Sequence, residues 1–292
     1  MILVKLMGGL GNQMFQYAAA KGLACKHNVE VKVDVSFLNT DPKGSYTARK
    51  YELDIFNSAI KIATEDDLLK FNKRANNKIT RSLQRNFPAL FTYLLAAESG
   101  SNYNPAFQSY PKNTYLNGFW QSEKYFENYK EQIKTDFKLT KVIPKELQIT
   151  LNNIQNSNSV SIHVRRGDYV ALKSANDFHG ICGIDYYKTA INLIAKKNKD
   201  INLYVFSDDI NWCKQNFDFN FPIHFVEHNF ESYWDMFLMS NCKHNIIANS
   251  SFSWWAAWLN HNEEKTVAAP KNWFADKTIN TNDLIPSRWI KV

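Results

Sequence analysis

Val160-Ser161-Ile162-His163-Val164-Arg165-Arg166-Gly167-Asp168 is the stretch on which the fold turns. Three β-branched apolar residues alternate with small or polar ones and then give way abruptly to charge and glycine, the signature of a short buried strand that ends at a polar site. The same short run recurs at Leu203–Ser207, Ile223–Val226, Asn245–Ala248 and Val267–Ala269. Between these runs lie segments of helical period near Asp185–Lys197, Ile210–Phe217, Ser232–Asn241 and Phe252–Asn260. Short apolar strands alternating with helices predict a parallel sheet covered on both faces.

Upstream, Ile2–Met7 reads as a strand and Gly8-Gly9-Leu10-Gly11 as a turn. Gln13–His27 reads as a helix with Met14, Tyr17, Ala18 and Leu23 on one stripe, and Val29–Val35 as a second strand. Thr64-Glu65-Asp66-Asp67 is a helix start, because Thr can cap free N–H groups and the acids suit the positive helix end. Asn102–Asn113 reads as loop and Ser122–Phe137 as a helix, while Pro144 and the polar run Asn152–Ser159 mark a linker near residue 150. The expectation is two α/β halves, 1–150 and 151–292.

The composition of the 292 residues (45% hydrophobic, 22% charged) is that of a globular chain large enough to fold without disulfides. Leu90–Ala97 is far too short to span a bilayer, and the single Lys and brief apolar run of the first eleven residues do not make a secretory signal. The four cysteines, Cys25, Cys182, Cys213 and Cys242, form no C-x-x-C pair, which argues against a zinc site and fits a reducing cytosol. A net charge of +7 favours anionic partners. Lys70, Lys73, Arg74, Lys78, Arg81 and Arg85 fall in a stretch without a single acid between Asp67 and Glu98. It reads as a solvated helix face or as a contact for anionic lipid; no nucleic-acid motif accompanies it.

In open α/β sheets ligands bind beyond the carboxyl ends of strands, where Arg165 and Arg166 fall. Guanidinium groups make bidentate, charge-assisted bonds to phosphate oxygens. In extended backbone His163 and Arg165 share one face and Arg166 and Asp168 the other. Arg165 is therefore expected on a phosphate and Arg166 held by an acid such as Asp168; a surface ion-pair cluster is the plainer reading. Asn249-Ser250-Ser251-Phe252-Ser253-Trp254-Trp255 follows a strand and opens a helix, a cradle for an anion unless Ser250 or Ser251 simply caps it. Asp208 and Asp209 end another strand and suit a ribose, a base or a helix cap. No Asp-x-Asp pair occurs, so arginines rather than a metal ion are expected to neutralise a departing diphosphate. Gly8-Gly9-Leu10-Gly11-Asn12-Gln13 approaches a dinucleotide fingerprint but has Met14 where the third glycine belongs; Asp34 lies where a ribose-binding acid would fall.

His163–Asp168, the opening Gly8–Tyr17, Ser207-Asp208-Asp209 and Asn249–Trp255, in this order and spacing, resemble the α-1,2-fucosyltransferases of glycosyltransferase family 11. One departure is Ala256, where a glycine is expected after the paired tryptophans. The resemblance implies an α/β, GT-B-like fold with two Rossmann-like halves facing across a cleft: an N-terminal acceptor-side domain and a C-terminal domain for the donor. It implies inverting transfer of L-fucose from GDP-β-L-fucose to the 2-hydroxyl of a terminal β-galactoside in a cell-surface or capsular glycan, with no cofactor or metal. By motif, Arg165 stabilises the departing diphosphate, and His163 and Asp208 meet the nucleotide. Ser250, Ser251 and Phe252 serve the phosphates, and Gly9, Gly11, Asn12 and Gln13 face the fucose. Arg166 is structural support, and Asp168 or His163 is the general base. The expected place is cytoplasmic, with peripheral attachment of the basic run to anionic inner membrane, where lipid-linked acceptors are built. An NAD-linked oxidoreductase using the glycine turn, or a non-catalytic carbohydrate-binding protein, are the rival readings.

Overall fold

A computed structural model describes residues 1–40, 49–56, 60–72, 82–84, 86–167, 177 and 180–292. The chain divides into two compact units, Met1–Lys141 with Thr281–Leu284 and Val142–Asn280 with Ile285–Val292.

The first unit is built on a five-stranded sheet. β1 (Ile2–Lys5), β2 (Val31–Asp34), β3 (Lys61–Ile62), β4 (Leu94–Ala97) and β5 (Thr114–Asn117) lie in the order β3-β2-β1-β5-β4, with every pairing parallel. Between β1 and β2 runs α1 (Leu10–His27), and α2 (Glu65–Asn72) follows β3. The sequence predicts a single apolar stripe on α1, yet from Leu10 to Ala24 every residue except Asn12 and Lys21 is buried. Alanines at 18 to 20 and Gly22 make this possible, because small side chains let neighbouring backbone approach the helix on several sides. Asn28 closes α1 in the left-handed region (φ 51°), donating its N–H back to Ala24 and Cys25 carbonyls. α2 begins where its capping signal says: the Asp67 N–H donates to Thr64 Oγ1 at 3.3 Å and the Thr64 N–H to Asp67 Oδ2 at 3.1 Å, a reciprocal box.

Ser122–Phe137 is not one helix. Two short 3-10 turns, Glu123–Tyr125 and Glu127–Tyr129, precede α3 (Lys130–Asp136), and Phe126 between them leaves helical backbone at φ −138°, ψ 11°. Tyr125 and Phe126 are both buried although adjacent. A regular helix would point them about 100° apart around its axis.

The second unit opens with α4 (Lys145–Gln155) where a linker near residue 150 is expected. Leu147, Leu151 and Ile154, spaced four and three apart, bury one face of it beneath a polar exterior. Then follow β6 (Asn158–Val164), α5 (Ile184–Ala195), β7 (Ile201–Ser207), α6 (Ile210–Asn216) and β8 (Ile223–Phe225). α7 (Tyr233–Ser240), β9 (His244–Ile246), α8 (Ser251–Leu259), β10 (Val267–Ala269) and β11 (Ile290–Lys291) complete the unit. The six strands are ordered β11-β10-β9-β6-β7-β8 and pair in parallel throughout. Val160, Ile162 and Val164 of β6 pack with Leu203, Val205, Ile246 and Ile191 in its core. The chain builds β6, β7 and β8 to one side and β9, β10 and β11 to the other, so the strand order reverses between β6 and β9.

Gly22 tests the packing of α1. A Cβ there would sit 2.7 Å from the carbonyl oxygen of Tyr125 and 3.1 Å from Phe126 Cα, both backbone atoms. Gly22→Ala is expected to destabilise the protein by ~1–3 kcal/mol despite the helical propensity gained, read as a lower urea midpoint.

Candidate active site

The reversal between β6 and β9 places two of the sequence-predicted motifs side by side. Ile162 pairs with Ile246, and each strand then runs on by the same number of residues to Arg165 and to Asn249. Ser250 precedes α8 in extended conformation, and its hydroxyl makes no capping bond. The first-turn N–H groups of a helix lack intrahelical partners, so this end keeps its positive character for an anion. The capping alternative for Ser250 is thus not what the structure shows. Ser251 and Phe252 form the first turn, and the Phe252 ring lies 5.7 Å from the His163 ring, joining the two motifs. Buried Asn249 holds the entry to α8 by donating to the carbonyls of Gly180 and Trp273. Trp254, Trp255 and Trp258 are buried in the core, and Ala256 is accommodated among them.

On the other side of β6, Asp208 and Asp209 follow β7 and take up the arginines. Arg165 Nη1 lies 2.8 Å from Asp208 Oδ2, while the other oxygen of Asp208 accepts the Arg166 N–H at 2.8 Å. Arg166 Nε donates to Asp209 Oδ2 at 3.2 Å, and its guanidinium lies 3.9 Å from the centre of the Trp212 ring. Arg166 is therefore fixed by an acid and an aromatic face, with Asp209 as the acid; Asp168 lies outside the described residues. Asp208, expected on the nucleotide, is the partner of Arg165. Asp209 also caps α6, accepting the Trp212 N–H at 3.2 Å. Trp212 was missed by sequence reading, although an aromatic three residues after a capping acid was the available signal. A Cβ on Gly167 would come within 2.9 Å of Asp208 Oδ2, so glycine is what lets the carboxylate approach the backbone here.

His163 is 6% exposed, and its Nδ1 has no hydrogen-bond partner among the described residues. Burial, aided by the charge of Arg165, lowers its pKa to about 3, so the ring is neutral at physiological pH. A neutral imidazole offers one donor and one acceptor, which suits a hydrogen bond to a ligand better than proton abstraction.

In the first unit the glycine turn sits at the carboxyl end of β1. Gly9 precedes α1 in extended conformation and reaches the surface, as does Asn12; Gly11 and Gln13 are buried in the helix. Gln13 corrects the expectation of a donor contact. Its Nε2 donates to the Gly8 and Lys50 carbonyls at 2.9 and 2.8 Å, and its Oε1 accepts the Glu52 N–H at 3.0 Å. With both ends of the amide satisfied internally, Gln13 fastens the Lys50–Glu52 segment to the turn. Asp34 is equally committed: it accepts the Tyr115 hydroxyl at 2.5 Å and the Ser36 N–H at 2.9 Å, and is buried. The acid that a dinucleotide fingerprint would set on a ribose is thus engaged by the protein's own donors. Lys73, Arg74, Lys78, Arg81 and Arg85 lie outside the described residues. Among the described residues no helix is long and apolar enough to cross a membrane.

Two parallel α/β units of this kind make up a GT-B-type fold. The likeness to a solved structure agrees: a mutant of Arabidopsis thaliana FUT1 in complex with GDP matches with TM-score 0.53 at 11% identity, covering 98% of this chain and 74% of that one. The family model for glycosyl transferase family 11 matches residues 1–292, and the chain belongs to that family. An α-1,2-colitosyltransferase of Escherichia coli is 34% identical, covering all of this chain and 98% of the relative. The E. coli O-antigen biosynthesis glycosyltransferase WbnK is 36% identical over 98% of this chain and 99% of its own length. The galactoside α-(1,2)-fucosyltransferase 1 of Leontocebus fuscicollis is 30% identical over 49% of this chain and 42% of its own length. The protein is thus an enzyme, and the non-catalytic reading falls.

His163 makes a measurable signature. Its unfolded form takes up a proton near pH 6.5 while its folded form does not until about pH 3. The unfolded state therefore binds more protons between these values, and stability falls as pH falls through them. The slope from this one group is at most about 1.4 kcal/mol per pH unit. Urea unfolding at pH 7, 6 and 5 is expected to show a shallower decline in His163→Phe than in the wild type.

Proposed function

We propose that the enzyme transfers L-fucose from GDP-β-L-fucose to the 2-hydroxyl of a terminal β-galactoside, with inversion to an α-1,2 linkage and without a metal ion. The observation that carries this reading is that Arg165 and the uncapped start of α8 follow the adjacent strands β6 and β9 at the crossing point of the second sheet. In the reaction the galactoside oxygen forms a bond to the fucose anomeric carbon as the bond from that carbon to the β-phosphate oxygen breaks. The electron pair leaves with GDP, and the hydroxyl proton goes to a base. Charge grows on the departing phosphate, so fixed donors aimed there supply the largest stabilisation. Arg165 and the first N–H groups of α8, at Ser251 and Phe252, fill that role, while His163 offers its Nδ1 to the nucleotide. Both acids of the β7 exit are already paired with arginines, which leaves them poor ligands for a metal. The colitosyl relative favours a second donor reading, GDP-colitose, which lacks one hydroxyl of fucose.

Purified protein with GDP-fucose and lactose in excess chelator is expected to form an α-1,2-linked product, with the rate compared against GDP-colitose. Loss of all transfer on chelation would overturn the metal-free mechanism. Arg165→Ala is expected to lower turnover at least ~100-fold, equivalent to ~2.7 kcal/mol of transition-state stabilisation, with the circular dichroism unchanged. GDP at ~100 times its Kd should stabilise the wild type by ~2.7 kcal/mol, and NAD should not.

A further inference from the structure

The first unit has a crossing point of its own. Its chain builds β1, β2 and β3 to one side, and β5, with β4 beyond it, lies against β1 on the other. The strand order thus reverses between β1 and β5, and the carboxyl ends of these two strands are where an α/β sheet opens a ligand crevice. Asn12 follows β1, and Gly118-Phe119-Trp120-Gln121 follows β5. Gln121 Nε2 donates to Asn12 Oδ1 at 2.8 Å across the reversal. Neither amide makes another hydrogen bond among the described residues, so Asn12 Nδ2 remains as a donor beside Gln121 Oε1 as an acceptor.

The turn after β5 is held in a conformation that no local preference explains. Trp120 has φ +54°, the left-handed region that a bulky residue avoids. Its ring is buried, 5.6 Å from Phe107 and 5.3 Å from Tyr125. Glu98, at the end of β4, accepts the N–H groups of Phe119 at 2.6 Å and Trp120 at 3.0 Å. Gly118 allows this approach, since a Cβ there would lie 2.3 Å from Glu98 Cβ. Strained backbone persists only where its surroundings over-determine it, and it gathers at ligand sites. Phe119, 43% exposed, stands on this turn two residues before Gln121.

We propose that this crossing point binds the acceptor: a galactoside lays its apolar face on Phe119 while its hydroxyls bond to Asn12 Nδ2 and Gln121 Oε1. An exposed aromatic on the same turn as an uncharged donor and acceptor suits a neutral polyol, where the arginines of the second unit suit an anion. The choice of a galactoside rests on the reaction proposed above, and it moves Asn12 from the donor, where the family resemblance places it, to the acceptor.

The test uses the full chain and methyl β-D-galactoside without donor, followed by saturation-transfer NMR. The wild type is expected to bind the glycoside, with the strongest transfer to ring protons of one face. Phe119→Ala and Gln121→Ala are each expected to weaken binding at least ~10-fold, and Phe119→Trp to retain it, all three keeping the thermal shift with GDP. In assays with GDP-fucose and lactose, the two alanine variants are expected to raise the acceptor KM at least ~10-fold, the donor KM and donor hydrolysis without acceptor staying within ~2-fold. Binding and acceptor KM unchanged in both alanine variants would overturn the site while leaving the reaction standing. Binding lost in the variants with no product formed by the wild type would uphold the site and overturn the reaction. No binding by the wild type would overturn the galactoside as ligand.

Discussion

Two arginines in succession at the mouth of a parallel sheet are a problem before they are a site. Guanidinium groups a few ångströms apart repel, and long side chains left free would sample many rotamers. Asp208 and Asp209 resolve both difficulties from the neighbouring strand, one acid for each arginine. The pairing depends on the sheet: β6 and β7 run in parallel from Asn158↔Ile201 to Val164↔Ser207, so both charged exits emerge at the same level. Half-exposed pairs of this kind contribute little to stability. Their consequence is positional. Arg166 is held by Asp209 and by the face of Trp212, whereas Arg165 faces an acid whose second oxygen is already engaged by the Arg166 backbone. Arg165 is thereby held in place at the exit of β6 by its pairing with Asp208.

The regular half of the chain was legible because its signals are local. β6, β7, β9 and β10 each carry their own apolar run, and the helices between them have their own period, so alternation alone gives the parallel sheet. β3 and β11 span two residues each and β4 is embedded in an apolar run that carries no turn signal; these become strands only by pairing with neighbours far along the chain. The same limit explains α4. Its polar residues read as a linker, and the three apolar positions that make it a helix matter only once there is a sheet to bury them against.

The site divides in the same way. His163, Arg165, Ser250 and Phe252 could be brought together from sequence, since each sits at a strand exit and the order of strands decides the rest. Gln13 could not be assigned, because the carbonyl and N–H that occupy its amide lie at residues 50 and 52. Asp34 was misread for the same reason: Tyr115, its partner, is 81 residues away. A polar residue behind a glycine turn reads as aimed at a ligand until the backbone it fastens is known.

The chemistry of each crossing point follows from the groups its strand exits present. In the second unit those groups are a guanidinium paired with an acid, a helix start without a side-chain cap and a buried imidazole nitrogen with no hydrogen-bond partner among the described residues. Keeping that imidazole neutral is part of the arrangement. A protonated His163 beside Arg165 would add a like charge in a buried setting, and the combination of burial and Arg165 drives its pKa the other way. The positive field is thereby concentrated on Arg165 and the start of α8, where an anion can reach it, and the imidazole is left as a neutral hydrogen-bonding group. In the first unit the carboxylates of Asp34 and Glu98 are both occupied by protein donors, and the exits of β1 and β5 are joined by the amide pair of Asn12 and Gln121. In both sheets the side chains at the reversal are held by partners from neighbouring strand exits, Asp208 for Arg165 and Gln121 for Asn12.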